Sequence, residues 1–224
     1  MNTYQHAAEP VTVADDPKAR ELLRGAFEST YRWKSDFKGF RARLVVREAG
    51  KQSEGDVLVE LPETVKVSLS DGDAQKWAEG QIGMMAVHRG HRTFEQSDGR
   101  HTLGLDRDDG HPLGRLLLIH GDGMGSRYRI LGKHIRQINR SMGPVRFTIN
   151  VEDAMTTVDG RHLTTRYTVY YFNPQDNSIK QVDSISDDHA VVNGVYLPGT
   201  RRVIGTENGE VRVRVMEFRE HQLL

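Results

Sequence analysis

The order of apolar and polar positions divides the chain into two helical stretches and a long region of alternating residues. Residues 1–14 are polar and aperiodic, and read as a loose arm ahead of one domain at 15–224. Asp15-Asp16-Pro17 is a helix start, with Asp16 as the cap and Pro17 at the first helical position. Ala19, Leu22, Leu23, Ala26 and Phe27 recur at i, i+3, i+4, i+7 and i+8, one apolar face of a helix running to about Trp33. The period then drops to two. Phe40, Ala42, Leu44 and Val46 alternate with arginines, Val57, Val59 and Leu61 resume after a turn, and Val65, Val67 and Leu69 follow Pro62. Three short-looped antiparallel strands are predicted.

Ser70-Asp71-Gly72-Asp73 opens a second helix over 71–90. Ala74, Trp77, Ala78, Gln81, Met85 and His88 share a face, which Ile82 and Met84 widen. Gly80 and Gly83 are poor helix formers, so their presence predicts something packed closely against them. Beyond Gly90 the chain reads as strands near 91–96, 101–106, 114–120, 126–131, 134–140, 144–156, 162–172, 178–186, 189–197, 200–206 and 210–219. Val211, Val213 and Val215 give way to Met216 and Phe218, a phase slip that predicts a β-bulge near Val215 and Met216. Turn signals such as Ser97-Asp-Gly, Asp159-Gly, Asn193-Gly and Asn208-Gly separate the runs, and no fixed-period repeat exists. The fold class is α+β: a strongly curved antiparallel half-barrel with the two helices on its concave side.

Composition narrows the chemistry. The 224 residues include no cysteine, which removes disulfides, thiolate metal sites and cysteine nucleophiles. Lys+Arg and Asp+Glu both number 31, so no net charge draws the molecule to nucleic acid or anionic membrane. The longest apolar run is Leu116–Ile119, far short of a membrane span, and the first residues contain no secretory apolar segment. A protein that stays in the cytoplasm is expected.

Phe37-x-Gly39-Phe40, Gly55-x-Val57-x-Val59-x-x-Pro62 and Val65-x-Val67 resemble the opening of the lipoprotein-carrier fold, in which a helix precedes a half-barrel that shelters acyl chains on its concave face. The likeness extends to Gly160-Arg-His-Leu163 and Asn193-Gly-Val-Tyr-Leu-Pro198. Two features depart from it: those carriers are exported, and they run a strand hairpin where this chain has its second helix. Over nearly its whole length the chain resembles a family of uncharacterised proteins found largely in cyanobacteria and chloroplast-bearing organisms. The residues that carry this are Tyr31-x-Trp33, His88-Arg89-x-x-Arg92-x-Phe94-Glu95, Met124-Gly125-x-x-Tyr128, Arg201-Arg202-Val203-Ile204 and Phe218 with Leu223-Leu224. That family implies no activity.

Each candidate chemistry has a plainer alternative. His88-x-x-His91 lacks a third ligand at metal spacing, although His101 or His111 could supply one, and surface or hydrogen-bonded histidines are the simpler reading. Asp106-Arg-Asp-Asp-Gly110 places its glycine one position early for a calcium loop and ends on Leu117 where a carboxylate is required. Gly121-Asp-Gly-Met-Gly125 precedes a strand, so it lacks the helix dipole of a phosphate loop. Neither metal nor cofactor is expected, and no catalytic residue is assigned. Arg127, Arg129, Lys133, Arg136 and Arg140 crowd one hairpin. They suggest either an interaction face or ordinary solvent-facing arginines, with Arg127, Arg129 and Arg136 expected to point to water.

Trp77, Ile82, Met84 and Met85 make the second helix rich in soft, adaptable contacts, and they are the candidate ligand-binding residues. With only two helices to cover a long curved sheet, a concave apolar space can remain. The leading function is therefore non-catalytic binding or carrying of an apolar or amphipathic small molecule, such as a lipid or pigment. The alternative is a protein-interaction module using the basic sheet face. A hydrolase with spatially assembled histidine and carboxylate groups comes third, to be favoured by clustered histidines of perturbed pKa.

Overall fold

The computed structural model describes residues 13–207 and 209–224. All but the last two residues of the expected arm, and Asn208 of the Asn208-Gly209 turn, lie outside the described residues. Helix α1 (Pro17–Glu28) is capped by Asp16, whose carboxylate accepts from the N–H groups of Lys18 and Ala19. Strands β1 (Gly39–Glu48), β2 (Lys51–Glu60) and β3 (Thr64–Leu69) follow, then α2 (Gly72–Arg89), capped by Asp71. A 3₁₀ turn at Asp98–Arg100 leads into β4 (Thr102–Leu105), β5 (Arg115–His120), β6 (Arg127–Leu131) and β7 (His134–Met142). The longest strands close the chain: β8 (Val145–Thr156), β9 (His162–Phe172), β10 (Ile179–Val192), β11 (Val195–Glu207) and β12 (Glu210–Leu223).

All twelve strands form one antiparallel sheet in the order β3-β2-β1-β12-β11-β10-β9-β8-β7-β6-β5-β4, which is not closed. Side chains directly opposite each other in a ladder share a face. Glu48, Arg214, Val203, Ile185, Tyr167 and Val151 are opposite in turn from β1 to β8. Two residues earlier on β8, Ile149 faces Ile138, which faces Tyr128. The cores under the two helices therefore lie on one face. Ala78, Ile82 and Ala86 of α2 pack with Phe40, Leu44, Val57, Val59, Val67 and Met216. Ala19, Leu23, Ala26 and Phe27 of α1 pack with Phe94, Leu103, Leu117, Ile119, Tyr128 and Ile130.

The helices thus sit near opposite edges of the sheet, edges about 53 Å apart along the strands' common arc at about 4.8 Å per strand. Yet the N–H of Trp33, just past α1, donates to the carbonyl of Arg89 at the end of α2 at 2.8 Å. Trp33 lies in the core under α2, so the linker after α1 crosses the same face that carries both helices, the concave side of the open half-barrel.

Several expectations are corrected. The first helix stops at Glu28 because the Ser29 and Thr30 hydroxyls donate back to the carbonyls of Gly25 and Ala26, and Thr30 bridges to His162. Residues 91–96 form no strand: Thr93 and Gln96 hydrogen-bond each other in a turn around buried Phe94. The three strands expected over 178–206 are two, joined at Asn193-Gly194, where both residues have positive φ as a tight hairpin turn requires. A bulge at Asp188/His189 carries the pair past Pro198-Gly199. Val215 and Met216 keep unbroken register with both neighbours; the irregularity falls between Arg41 and Arg43, near Glu220 with its φ of 54°. Arg214 can stay on the concave face, in phase with Met216, because Glu48 pairs with it at 2.8 Å. Finally, a Cβ at Gly80 or Gly83 would meet nothing within 4 Å, so neither glycine marks close packing.

Candidate functional site: an uncovered strip of the concave face

Between the two helix-covered cores, the concave face of β8 to β11 holds a third apolar cluster. Val169, Ile185 and Val203 are its buried members, and Phe147, Ile149, Tyr167, Tyr171 and Trp77 pack around them while staying partly exposed. The period-two runs Phe147-x-Ile149-x-Val151 and Tyr167-x-Val169-x-Tyr171 pair residue for residue across the β8–β9 ladder. Aromatic and β-branched side chains so paired stabilise the sheet. With neither helix over the middle of the ladder, the same side chains leave an amphipathic groove.

One flank of α2 forms its wall. Trp77, Gln81, Met84 and His88 follow at i, i+4, i+7 and i+11, one stripe along the helix. Trp77 touches the apolar cluster and lies under the Arg214 guanidinium, 5.1 Å from the ring centre. The side-chain oxygen of Gln81 accepts from Arg201 at 3.1 Å, and Met84 is 50% exposed. Ile82 and Met85 are buried on the adjoining face of the helix. The four residues singled out from the sequence therefore divide: Trp77 packs against the strip, Met84 is half-exposed on the same helical stripe, and Ile82 and Met85 are buried.

Toward the C-terminal end of α2 the groove becomes basic. Arg201, buried in the floor, donates two hydrogen bonds of 2.8 Å to Asp187. Burial alone would lower its pKa, but the Tyr167 hydroxyl and Asp187 beside it raise it. Arg140 contacts Asp98 at 3.3 Å and donates to the Tyr128 hydroxyl, which itself donates to Asp98. Burial pushes Tyr128 above the ordinary tyrosine range. Arg89 shares a 3.2 Å hydrogen bond with the ring of His189. Burial, with repulsion from Arg89, brings His189 down to about 4. Arg89 itself falls to about 10, mainly through burial. His88 keeps solvent access while protein surrounds it, as expected of a side chain lining a concavity. Burial, then repulsion from Arg92, Arg140, Arg89 and Arg201, lowers it to about 4.

His88 and His189 share one cause of perturbation. Their pKa values fall through burial and arginines, not through a carboxylate that would orient a base. Among the described residues no serine, threonine or carboxylate hydrogen-bonds a histidine ring. No group of three His, Cys, Asp or Glu side chains among them could hold a metal ion. Asp106, Asp108 and Asp109 instead cap their own turn through the N–H groups of Arg107, Gly110 and His111. Asp122 does the same for Met124 between β5 and β6.

The expected basic sheet face is also split. Arg140 points into the concavity, whereas Arg127 is exposed opposite Asn139. Arg129 does not point to water: it is largely buried, bonded to both oxygens of Asp109 and to the carbonyl of Gly114. Arg136 is half-buried, with its Nε lacking a partner. Two open hollows, of about 440 and about 500 Å³, lie away from the groove, one on the outer side of β1 to β3 and one at the β9–β10 turn. Neither is lined by the concave cluster. Among the described residues no helix is long and apolar enough to cross a membrane.

Fold and groove together define an open α+β half-barrel with an amphipathic concave face. The chain belongs to a family of proteins of unknown function, DUF3386, whose model matches residues 14–224. No curated protein matches it. Among solved structures it is similar to a domain described as an outer membrane lipoprotein-sorting protein from Vibrio parahaemolyticus, at 5% identity, TM-score 0.35 and 92% coverage of both chains. It is also similar to a DUF1329 family protein from Desulfovibrio piger, at 8% identity, TM-score 0.27 and 94% coverage of both chains. At such TM-scores these neighbours carry no weight for function. The sequence signals that could have revealed the groove were the inward phase of Arg201 and Arg214, and the surplus of inward aromatic residues over helices to cover them.

Proposed function

We propose that this protein binds an apolar or amphipathic small molecule, lipid- or pigment-like, along the concave strip, and does so without catalysis. The observation that carries the reading is the row Phe147, Ile149, Tyr167, Tyr171 and Trp77, which remains partly exposed on the one face that both helices exist to cover. Covering such a row with a ligand's hydrocarbon removes roughly 25 cal/mol per Å² of apolar area from water. Trp77 and Met84 would serve as the adaptable wall, and Ile82 and Met85 would anchor the helix behind it. The groove is open and not an enclosed cavity, which suits an elongated ligand lying along the strands.

The test is displacement of a fluorescent fatty-acid probe, read beside Ile149→Glu, which places a charge in the half-exposed middle of the strip. The reading expects saturable one-to-one binding by the wild type and its loss in the variant at nearly unchanged melting temperature. Equal binding by the two proteins would place the ligand elsewhere and overturn the proposal.

A further inference from the structure

We infer that the ligand is anionic at one end, and that its carboxylate, sulfate or phosphate sits beside the C-terminal end of α2 among Arg32, Arg89 and Arg92. The inference rests on the reading of the strip as a binding groove and adds the polarity and orientation of what lies in it.

Arg32, Arg89, Arg92, Arg140 and Arg201 come near one another at this end of the concavity, with Arg161, paired to Asp159, on the far side of Arg32. Two of the five have carboxylates, Arg140 with Asp98 and Arg201 with Asp187. The other three have none at ion-pair distance among the described residues. Arg32 donates to the carbonyls of Phe27 and Thr30, at 2.7 and 3.4 Å. Arg92 donates to the carbonyl of Val87 at 2.6 Å, and Arg89 meets only the His189 ring. Each helix C-terminus offers about half a negative charge in all, so the two termini position these guanidiniums without neutralising three of them. The surplus is local, because the whole chain balances 31 basic against 31 acidic residues.

Part-buried cations with no counter-ion in contact are costly: Asp98 acts on Arg32 and Arg92, and Asp187 on Arg89, only from beyond ion-pair distance, and burial still lowers Arg32 and Arg89 to about 10. Two buried donor or acceptor atoms here, Nε of Arg32 and Nδ1 of His189, also lack any hydrogen-bond partner. An anion would relieve both conditions at once. The apolar strip leads into this cluster through Tyr167, which packs with Val169 and Ile185 while its hydroxyl lies beside Arg201. That continuity points to an amphipath, its chain along β8 and β9 and its head beneath His88.

Calorimetric titration of the full chain with laurate, dodecyl phosphate, dodecanol and inorganic phosphate, all below micelle-forming concentrations, tests this. Charge-assisted hydrogen bonds should make the two anionic amphipaths bind about tenfold or more tightly than dodecanol. Arg92→Gln should reduce that preference, weakening laurate and dodecyl phosphate more than dodecanol, and Arg92→Lys should keep more of it than Arg92→Gln. If Arg92→Gln lowers the melting temperature, Arg32→Gln makes the same test. Equal affinity for laurate and dodecanol overturns the anionic inference and leaves the groove standing. Inorganic phosphate binding as tightly as dodecyl phosphate overturns the amphipath in favour of a free-anion site. No binding of any chain-bearing ligand overturns the groove reading itself, and this inference with it.

Discussion

Asp187→Ala offers a sharp test of how the groove floor is held. Asp187 and Arg201 are buried, with 6% and 4% of their side chains exposed, and they meet through two 2.8 Å hydrogen bonds. Removing the carboxylate leaves the Arg201 guanidinium with Gln81 and the Tyr167 hydroxyl as its remaining close partners and deprives Arg89 of its nearest opposing charge. Breaking a buried pair from one side leaves an uncompensated charge and costs about 3–5 kcal/mol. For a domain of this size each kcal/mol shifts the melting temperature by about 2–4 °C, so a fall of about 6–20 °C is expected. Urea unfolding monitored by tryptophan fluorescence measures the free energy, and calorimetry the temperature. Asp153→Ala, which breaks the exposed pair with Arg166, is the control and should cost about 0–1 kcal/mol. The double substitution Asp187→Leu with Arg201→Met should recover most of the loss, since no charge then remains unpaired. A cost below about 1 kcal/mol for Asp187→Ala would refute the reasoning, because it would mean that water reaches the pair.

Other perturbations probe separate parts of the account. His189 titrates near 4 when folded against an ordinary 6.5, so between those values the unfolded chain binds the extra proton. Stability should therefore rise with pH from about 4 to about 6.5, His189 contributing at most about 1.4 kcal/mol per unit beside a like contribution from His88, and His189→Gln should lessen that slope without removing it in urea titrations at stepped pH. Gly80→Ala fills open space on a helix and should raise stability by about 0.5–1 kcal/mol; a loss would reveal a close neighbour. Trp77→Ala should cost less than the roughly 3–5 kcal/mol of a fully buried tryptophan, with ligand affinity falling more than stability.

Local signals made much of the scaffold legible. Asp16-Pro17 and Asp71 mark the helix starts because capping is decided within four residues. Period-two alternation marks β1, β2 and β3, which bury residues on one face, and β8, whose inward side chains stay partly exposed. The first helix was read too long because its end depends on Thr30 bridging to His162, a partner 132 positions away. Pro198-Gly199 and Asp187-Asp188-His189 look like strand breaks, yet a bulge absorbs them. Trp77 and Met84 follow from helical spacing alone, but the meeting of Arg89 with His189 and of Gln81 with Arg201 depends on sheet order. Those pairs are 100 and 120 residues apart, and no local pattern encodes such a distance. Arg129 was misjudged for a similar reason: alternation points it outward, and only the fold brings Asp109 over it.

The central claim is that the uncovered concave strip is where a ligand lies. Photo-crosslinking the full chain with a diazirine-bearing fatty acid, followed by peptide mapping, reads that location directly. The account predicts label on the peptides carrying Phe147, Ile149, Tyr167, Tyr171, Trp77 and Met84, suppressed by excess unlabelled laurate. Label confined to the outer hollow at Arg41, Arg43 and Lys66, or spread without competition over the surface, would contradict it.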